Sequence, residues 1–406
     1  MGDPKQNPLI GACHMRRLLF ALIDDHQATL MRKGALPESA RLSVQAPALN
    51  RLDDMVIGEE ALGLDSLARI ELVQSLTARF GLDATGVEDY FLVQRRFGDW
   101  VDLLMWHLEQ MGDRAALGFF TSGSTGAPKH IEHRALDLLS EIDALISGPL
   151  ADWPAGGRIL SLVPPHHIYG FLWSVLLPSR TGRTVIDLPP GMPGPVLRTA
   201  KPGDLIVATP FLWDAMGRLT RRLAADVTGV TSGAPSTQAT WQAAEHVGLS
   251  RLIEIYGASE TGGVGWRTGA EAAFVLASDI ARDGAEVYRR SNMATALPVQ
   301  DHLDWDGADT FRITGRKDTV VQVAGTNVNL SDLRHQILSA TAAQDAALRL
   351  DGLRLKAFIA VAPAMKDQAE AAFHRFAATL PAPARPARVD WGTSLPTSPH
   401  GKAADW

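Results

Sequence analysis

Directly after the short apolar run Ala116–Phe120 the chain reads Thr121-Ser122-Gly123-Ser124-Thr125-Gly126-Ala127-Pro128-Lys129. A strand that empties into hydroxyls and glycines and closes on Pro-Lys is suited to hold an anion. Glycines let the backbone approach it, hydroxyls and amides donate hydrogen bonds, and a lysine adds a compact charge. A lone Ser/Gly-rich loop is more often an ordinary surface turn, so the neighbours must decide. A Walker-type phosphate loop fails on residue order. It requires Gly-Lys followed by Ser or Thr, whereas Pro128 precedes Lys129 here and His130 follows it.

Around this loop the pattern is strand, loop, helix. Ile159–Val163 precedes Pro164-Pro165, Leu205–Ala208 precedes Pro210, Asp226–Val230 precedes Gly233, and Leu252–Ile255 precedes Tyr256-Gly257. Repeated units of this kind predict an α/β fold whose core is a mainly parallel sheet with flanking helices, with chemistry in the loops at the strand ends. Residues 1–112 read instead as a helical bundle. Leu19, Leu22, Ile23 and Leu30 recur at helical spacing. Leu67, Ile70, Val73, Leu76 and Phe80 form an apolar face behind Asp65, a natural helix cap, and Phe97, Trp100, Val101, Leu104, Leu108 and Met111 form another. After Arg316 a small α+β unit is expected, with a turn at Gly325, a helix from Ser331 and the strand Leu355–Val361. The expected domains are therefore 1–112, 113–315 and 316–406.

A net charge of -6 argues against a nucleic-acid surface spread over the molecule. The pairs Arg16-Arg17, Arg95-Arg96 and Arg221-Arg222 read as solvated helix faces. One cysteine, Cys13, excludes an internal disulfide and a cysteine-rich zinc site. No apolar run reaches membrane-spanning length and Met1–Pro8 lacks a signal-peptide core, so no membrane partner and a cytoplasmic location are expected.

Thr121–Lys129 resembles, position for position, the phosphate-loop signature of adenylate-forming enzymes, the superfamily of acyl-CoA synthetases, 4-coumarate–CoA ligases and peptide-synthetase adenylation domains. Further segments resemble that superfamily's other signatures in the right order: Pro165-His166-His167-Ile168-Tyr169-Gly170, Ser232-Gly233-Ala234-Pro235, Tyr256-Gly257-Ala258-Ser259-Glu260, Gly315-Arg316-Lys317-Asp318, and Pro396-Thr397-Ser398-Pro399-His400-Gly401-Lys402. The resemblance implies an acid–thiol ligase that uses ATP and Mg²⁺. Thr121, Ser122, Gly123, Ser124, Thr125, Gly126 and Lys129 would hold the departing pyrophosphate. Gly233, Ala234, Pro235, Tyr256, Gly257 and Ser259 would surround adenine, and Glu260 would serve the metal. His167 would border the acid, although a histidine on an apolar segment is as often a satisfied core residue. Asp301 and Arg316 would serve the nucleotide, Asp318 would be the hinge of a rotating small domain, and Lys402 would bridge carboxylate and α-phosphate. Two departures stand out. Ser259 replaces the usual threonine, and Val299-Gln300 replace the Thr-Gly that normally precedes the aspartate, here Asp301.

Leu62-Gly63-Leu64-Asp65-Ser66-Leu67 resembles the 4′-phosphopantetheine attachment site of acyl carrier proteins, which makes Ser66 a candidate for that modification and the front end carrier-like. The bland alternative is that Asp65 and Ser66 only cap a helix. Compared with the superfamily, a subdomain before the phosphate loop is missing, and the bundle or a second copy of the chain would fill the gap. The leading expectation is activation of an aryl or short-chain acid and transfer to a carrier protein's phosphopantetheine or to CoA, in the manner of compact ligases of aryl-polyene and polyketide pathways. The alternatives are a free acyl-CoA synthetase and a degenerate, carrier-like binding module.

Overall fold

The computed structural model describes residues 9–36, 52–121, 129–189, 191–317, 320–323, 326–352, 354–397 and 404–406. The chain divides into two compact units, Met1–Pro298 and Val299–Trp406.

In the first unit the helices α1 (Ala12–Arg32), α2 (Glu59–Leu62), α3 (Ser66–Phe80), α4 (Glu88–Val93) and α5 (Phe97–Met111) come first. The sequence dictates α3 closely. Asp65 accepts a hydrogen bond from the Ala68 amide at 2.8 Å, and Gly81 ends the helix in a left-handed conformation, φ 67°, that costs a glycine nothing. Its buried face is Ala68, Arg69, Leu72, Val73, Leu76, Arg79 and Phe80. The expected face therefore needs correcting at its start, where Leu67 and Ile70 are exposed. They fall outside the stripe at 68–69, 72–73, 76 and 79–80 that a 3.6-residue period buries. In α5, Phe97, Trp100, Val101, Leu104 and Leu108 are buried as expected. Arg17 is not on a solvated face. It is buried, donating to the Ser174 carbonyl and pairing with Asp187.

The phosphate-loop candidate is flanked differently from the strand–loop–helix expectation. β1 (Ala116–Thr121) and β2 (Lys129–Arg134) form an antiparallel two-stranded sheet that pairs Thr121 with Lys129, so the loop joins two strands of one hairpin. The helix α6 (Ala135–Ser147) follows.

The parallel sheet is built from β3 (Ile159–Ser161), β4 (Val185–Asp187), β5 (Leu205–Ala208), β6 (Thr228–Thr231) and β7 (Arg251–Ala258), in the spatial order β4-β3-β5-β6-β7. β8 (Gly262–Arg267) and β9 (Phe274–Leu276) extend it antiparallel beyond β7. Between the strands run α7 (Ile168–Phe171), a π turn at Leu172–Leu176, α8 (Leu177–Thr181), α9 (Gly194–Thr199), α10 (Pro210–Gly217) and α11 (Gln238–His246). A three-stranded antiparallel sheet, β10 (Ile280–Asp283), β11 (Glu286–Arg289) and β12 (Asn292–Ala296), completes the unit. Leu18, Leu72, Phe91, Trp100 and Leu104 of the helices belong to the same continuous core as Ile159, Leu205, Val230 and Ile253 of the sheet. Position 112 thus lies within one packed unit.

The second unit opens on the hairpin β13 (Asp301–Trp305) and β14 (Thr310–Arg316), in which Asp301 faces Arg316. β15 (Val320–Val323) and β16 (Thr326–Asn329) follow, then α12 (Leu330–Thr341), whose first amides at Ser331 and Asp332 donate to the Asn329 side chain. β17 (Asp345–Asp351), β18 (Arg354–Ala360), α13 (Lys366–Thr379) and β19 (Arg388–Gly392) finish it. Leu333, Ile337, Leu355, Ile359 and Phe373 form its separate core.

Candidate active site

The loops after β3, β6 and β7 all leave the carboxyl edge of the parallel strands, the edge at which open α/β sheets bind ligands. A cavity of about 530 Å³ lies at the opposite edge, lined by Gly157, Gly203, Asp226 and Arg251 among others, away from those loops.

At the carboxyl edge, β2 grips the turn that follows β7. Lys129 and His133 lie on one face of β2 and reach neighbouring residues of that turn. The Lys129 Nζ lies 3.0 Å from Glu260 Oε1, and the His133 Nε2 lies 2.7 Å from the Ser259 carbonyl. A carbonyl only accepts, so the His133 Nε2 carries the hydrogen. Burial pushes this ring's pKa below the usual histidine value and keeps it neutral. Burial pushes the Glu260 carboxyl upward, but the hydrogen bond and charge of Lys129, together with a main-chain hydrogen bond and the nearby His133, outweigh it and hold the carboxyl below its ordinary range.

The turn itself is fixed from beneath. A Cβ at Gly257 would stand 2.1 Å from the Gly262 carbonyl, so only glycine permits this approach of β7 to β8. The Thr261 hydroxyl accepts from the Ala258 amide at 2.9 Å. Arg289 of β11, itself buried, donates to the Thr261 carbonyl at 2.7 Å and pairs with Glu141 of α6 and with Asp279. Glu141 in turn accepts from the Gly263 amide at 2.8 Å. Burial pushes both carboxyls upward against the pull of Arg289.

Gly233, Ala234 and Pro235 form the exposed turn after β6, with Gly233 at φ 88°. Two bonds tie it to β7: the Ser232 hydroxyl donates to the Ile255 carbonyl at 3.0 Å, and the Ser236 amide to Glu254 at 2.8 Å. Tyr256 is half-buried at the end of β7, its ring 5.7 Å from that of Phe274. These two turns and the Lys129–Glu260 pair are brought together on neighbouring strand ends.

His167 is the exposed residue before α7, and the half-buried member of the pair is His166, 4.6 Å away ring to ring. Burial, reinforced by His167 and Arg79, pulls the His166 pKa down to about 3. The Tyr169 hydroxyl donates to the Ala208 carbonyl at 3.0 Å, which locks this segment to the end of β5. Ser66 is the exposed first residue of α3. In the second unit Asp301 and Arg316 occupy facing register positions. Ser122, Gly123, Ser124, Thr125, Gly126, Asp318, Gly325 and Lys402 lie outside the described residues.

Sequence reasoning missed His133, Glu141, Glu254, Asp279 and Arg289. The two-residue period of β2 links His133 to Lys129, but the buried ionic cluster joins residues far apart in the chain and leaves no local pattern. Glu260 suits Mg²⁺, since it is a charged oxygen donor whose side chain is 23% exposed, and that ion usually takes one or two carboxylates with water and phosphate completing its shell. Among the described residues no cluster of three or more His, Cys, Asp or Glu surrounds a metal position, and no helix is long and apolar enough to cross a membrane.

A mainly parallel sheet with ligand loops on its carboxyl edge and a separate small unit is the architecture of adenylate-forming enzymes. The model of the AMP-binding enzyme family matches residues 51–287. A 4-coumarate–CoA ligase of Cereibacter sphaeroides is 43% identical over 96% of this chain and 95% of its own length. One of Rhodobacter capsulatus is 39% identical over 97% of this chain and 100% of its own. Among solved structures, an ATP-bound RpMatB-BxBclM chimera superposes with a TM-score of 0.56 at 14% identity, covering 95% of this chain and 91% of that one. The O-succinylbenzoate–CoA synthetase of Bacillus subtilis, in complex with AMP, gives 0.51 at 17% identity, covering 70% and 67%. At such identities the structural likeness shows the fold alone. The chain belongs to the AMP-binding enzyme family and is an AMP-forming acid–thiol ligase.

Proposed function

We propose that this ligase activates 4-coumarate or a closely similar aryl acid and transfers it to CoA. The full-length likeness to two 4-coumarate–CoA ligases supports the acid and the acceptor. The geometric observation that carries the reading is the Lys129–Glu260 pair beside the turns at 233–235 and 256–260.

In the first half-reaction a carboxylate oxygen attacks the α-phosphorus of ATP, the bond to the β-phosphate oxygen breaks, and pyrophosphate leaves. Two anions must meet, so their charge has to be screened and the extra charge at phosphorus stabilised. Glu260 would hold Mg²⁺, which would supply part of that screening when bound. Lys129 and the hydroxyls of 121–126 hold the pyrophosphate, Tyr256 and the 233–235 turn take adenine, and Asp301 and Arg316 serve the rest of the nucleotide. His167 borders the acid and Lys402 bridges carboxylate and α-phosphate. In the second half-reaction the CoA thiolate attacks the acyl carbonyl and AMP departs. Labour is divided between the first unit, helical front end included, and the second, which carries Lys402, with Asp318 as the hinge, in a cytoplasmic enzyme. Acid-dependent ATP–pyrophosphate exchange over aryl, short aliphatic and amino acids tests this. No exchange with any acid would favour the degenerate binding-module reading instead.

A second reading takes the thiol from a phosphopantetheine arm, on a carrier protein or on Ser66. It is supported by the exposure of Ser66 behind its Asp65 cap, with Leu67 and Ile70 exposed beside it. Intact mass after incubation with CoA and a phosphopantetheinyl transferase tests it, and an unchanged mass removes Ser66 from consideration.

A further inference from the structure

The buried guanidinium of Arg79 lies where three parts of the first unit meet. Arg79 stands at the end of α3 with only 7% of its surface exposed. Its Nη1 donates to two carbonyls from different segments, Gly118 of β1 at 3.1 Å and His166 at 2.9 Å. The guanidinium carbon sits 5.9 Å from the Phe119 ring centre and 5.5 Å from that of Phe120. Its Nε is buried without a hydrogen-bond partner among the described residues. Asp25 is the acidic group that acts on it, at a distance. Burial pulls its pKa down to about 10, so it remains charged at neutral pH.

A buried cation is costly unless something repays its lost hydration. Here the repayment is two main-chain carbonyls and two aromatic faces. One carbonyl belongs to the strand that runs into the phosphate loop, the other to the residue before His167. The approach is close. A Cβ on Gly118 would stand 2.7 Å from the Ala78 carbonyl of α3, and the His130 Nε2 donates to that same carbonyl at 2.9 Å.

We propose that Arg79 is a positioning residue for adenylation: it fixes the spacing between β1, which feeds the phosphate loop, and the segment that presents His167 to the acid. This rests on the roles proposed for those two segments. In-line attack depends on that spacing, because the carboxylate and the departing pyrophosphate must lie on opposite sides of one phosphorus. A lysine cannot reproduce the contact, since its ammonium is a compact point charge with no planar face to lie against the two rings. The helical front end is then part of the catalytic scaffold through α3.

The test compares full-length wild type with Arg79→Lys and Arg79→Gln. ATP–pyrophosphate exchange with 4-coumarate reports the first half-reaction, and thioester formation from supplied coumaroyl-adenylate and CoA reports the second. The expected result is a fall in exchange kcat of between about tenfold and a hundredfold. KM for ATP should change by less than about threefold, and the second half-reaction should stay near wild type, with all rates normalised to folded protein. Should Arg79→Gln fail to fold, the charge-conserving Arg79→Lys carries the comparison. Equal losses in both half-reactions, or unchanged exchange in Arg79→Lys, overturn this inference alone. A wild type without acid-dependent exchange instead removes the adenylation reading, and this inference with it.

Discussion

Lys129 Nζ and Glu260 Oε1 meet at 3.0 Å, joining the strand that follows the proposed phosphate loop to the turn proposed to hold the metal. The pair is partly exposed, at 59% and 23% of the side chains, so its worth to stability is below about 1 kcal/mol. Its effect is on ionisation. Lys129 holds the Glu260 carboxyl below its ordinary range, which keeps it charged as pH falls. Lys129→Met should let Glu260 take a proton at higher pH. The acid limb of the kcat/KM profile for MgATP should then move to higher pH. An acid limb that stays in place would separate Glu260 from that titration.

Arg289 should matter more to stability than any surface pair. It joins Glu141 and Asp279, and all three are buried. Arg289→Met leaves two buried carboxyls without their cation, and losing one partner of such a group costs about 3–5 kcal/mol. The loss should appear as a lower denaturant midpoint. Because Arg289 also holds the Thr261 carbonyl, milder Arg289→Lys should raise KM for MgATP more than KM for the acid.

The parts legible in the sequence were those with short-range signatures. Asp65 and Gly81 bracket α3, and Leu205–Ala208 forms the strand its apolar run predicts, because caps and apolar runs act within a few residues. The hairpin around the phosphate loop was not legible, since Lys129–Arg134 alternates polar residues with the single buried Ile131 and has no parallel-strand signal. Nor were β8 to β12. Gly262, Gly263 and Gly265 in β8 carry no β propensity, and the strand exists because β7 and β9 pair with it. The roles of His133 and Arg79 depend on contacts with Ser259, Gly118 and His166, which only tertiary structure supplies.

His166 should make stability depend on acid. Its pKa is about 3 in the folded chain, chiefly through burial, against about 6.5 when unfolded. Below that unfolded value the unfolded chain binds a proton that the native state refuses. The stabilising contribution is therefore complete above about pH 6.5 and is lost progressively as pH falls toward 3. His14, lowered to about 4 by burial, acts in the same direction. His166→Gln should recover about 1 kcal/mol of the loss between about pH 6 and pH 5, measured by urea unfolding at each pH. An unaltered slope would mean that His166 is protonated in the native state.

Lys356 should support the chemistry assigned to Lys402 without touching substrate. It is buried, and its Nζ donates to Asp405 at 2.7 Å and to the Trp406 main-chain oxygen at 2.8 Å. The Trp406 ring packs against Phe358 of β18 at 5.9 Å and lies 5.0 Å from the Arg349 guanidinium. The Ala404 amide donates to the Pro396 carbonyl at 2.9 Å, which closes the base of the segment that contains Lys402. Pro396 and Ala404 flank the residues that include Lys402, and fixing them would reduce the entropy lost in the bridging role proposed for that lysine. Lys402→Ala should lower acid-dependent pyrophosphate exchange by roughly a hundredfold or more while leaving thioester formation from supplied acyl-adenylate nearly intact. Lys356→Met should lower exchange by roughly tenfold, again sparing the second half-reaction. If Lys356→Met slowed both halves alike, the anchor would serve the fold of the second unit and not the lysine.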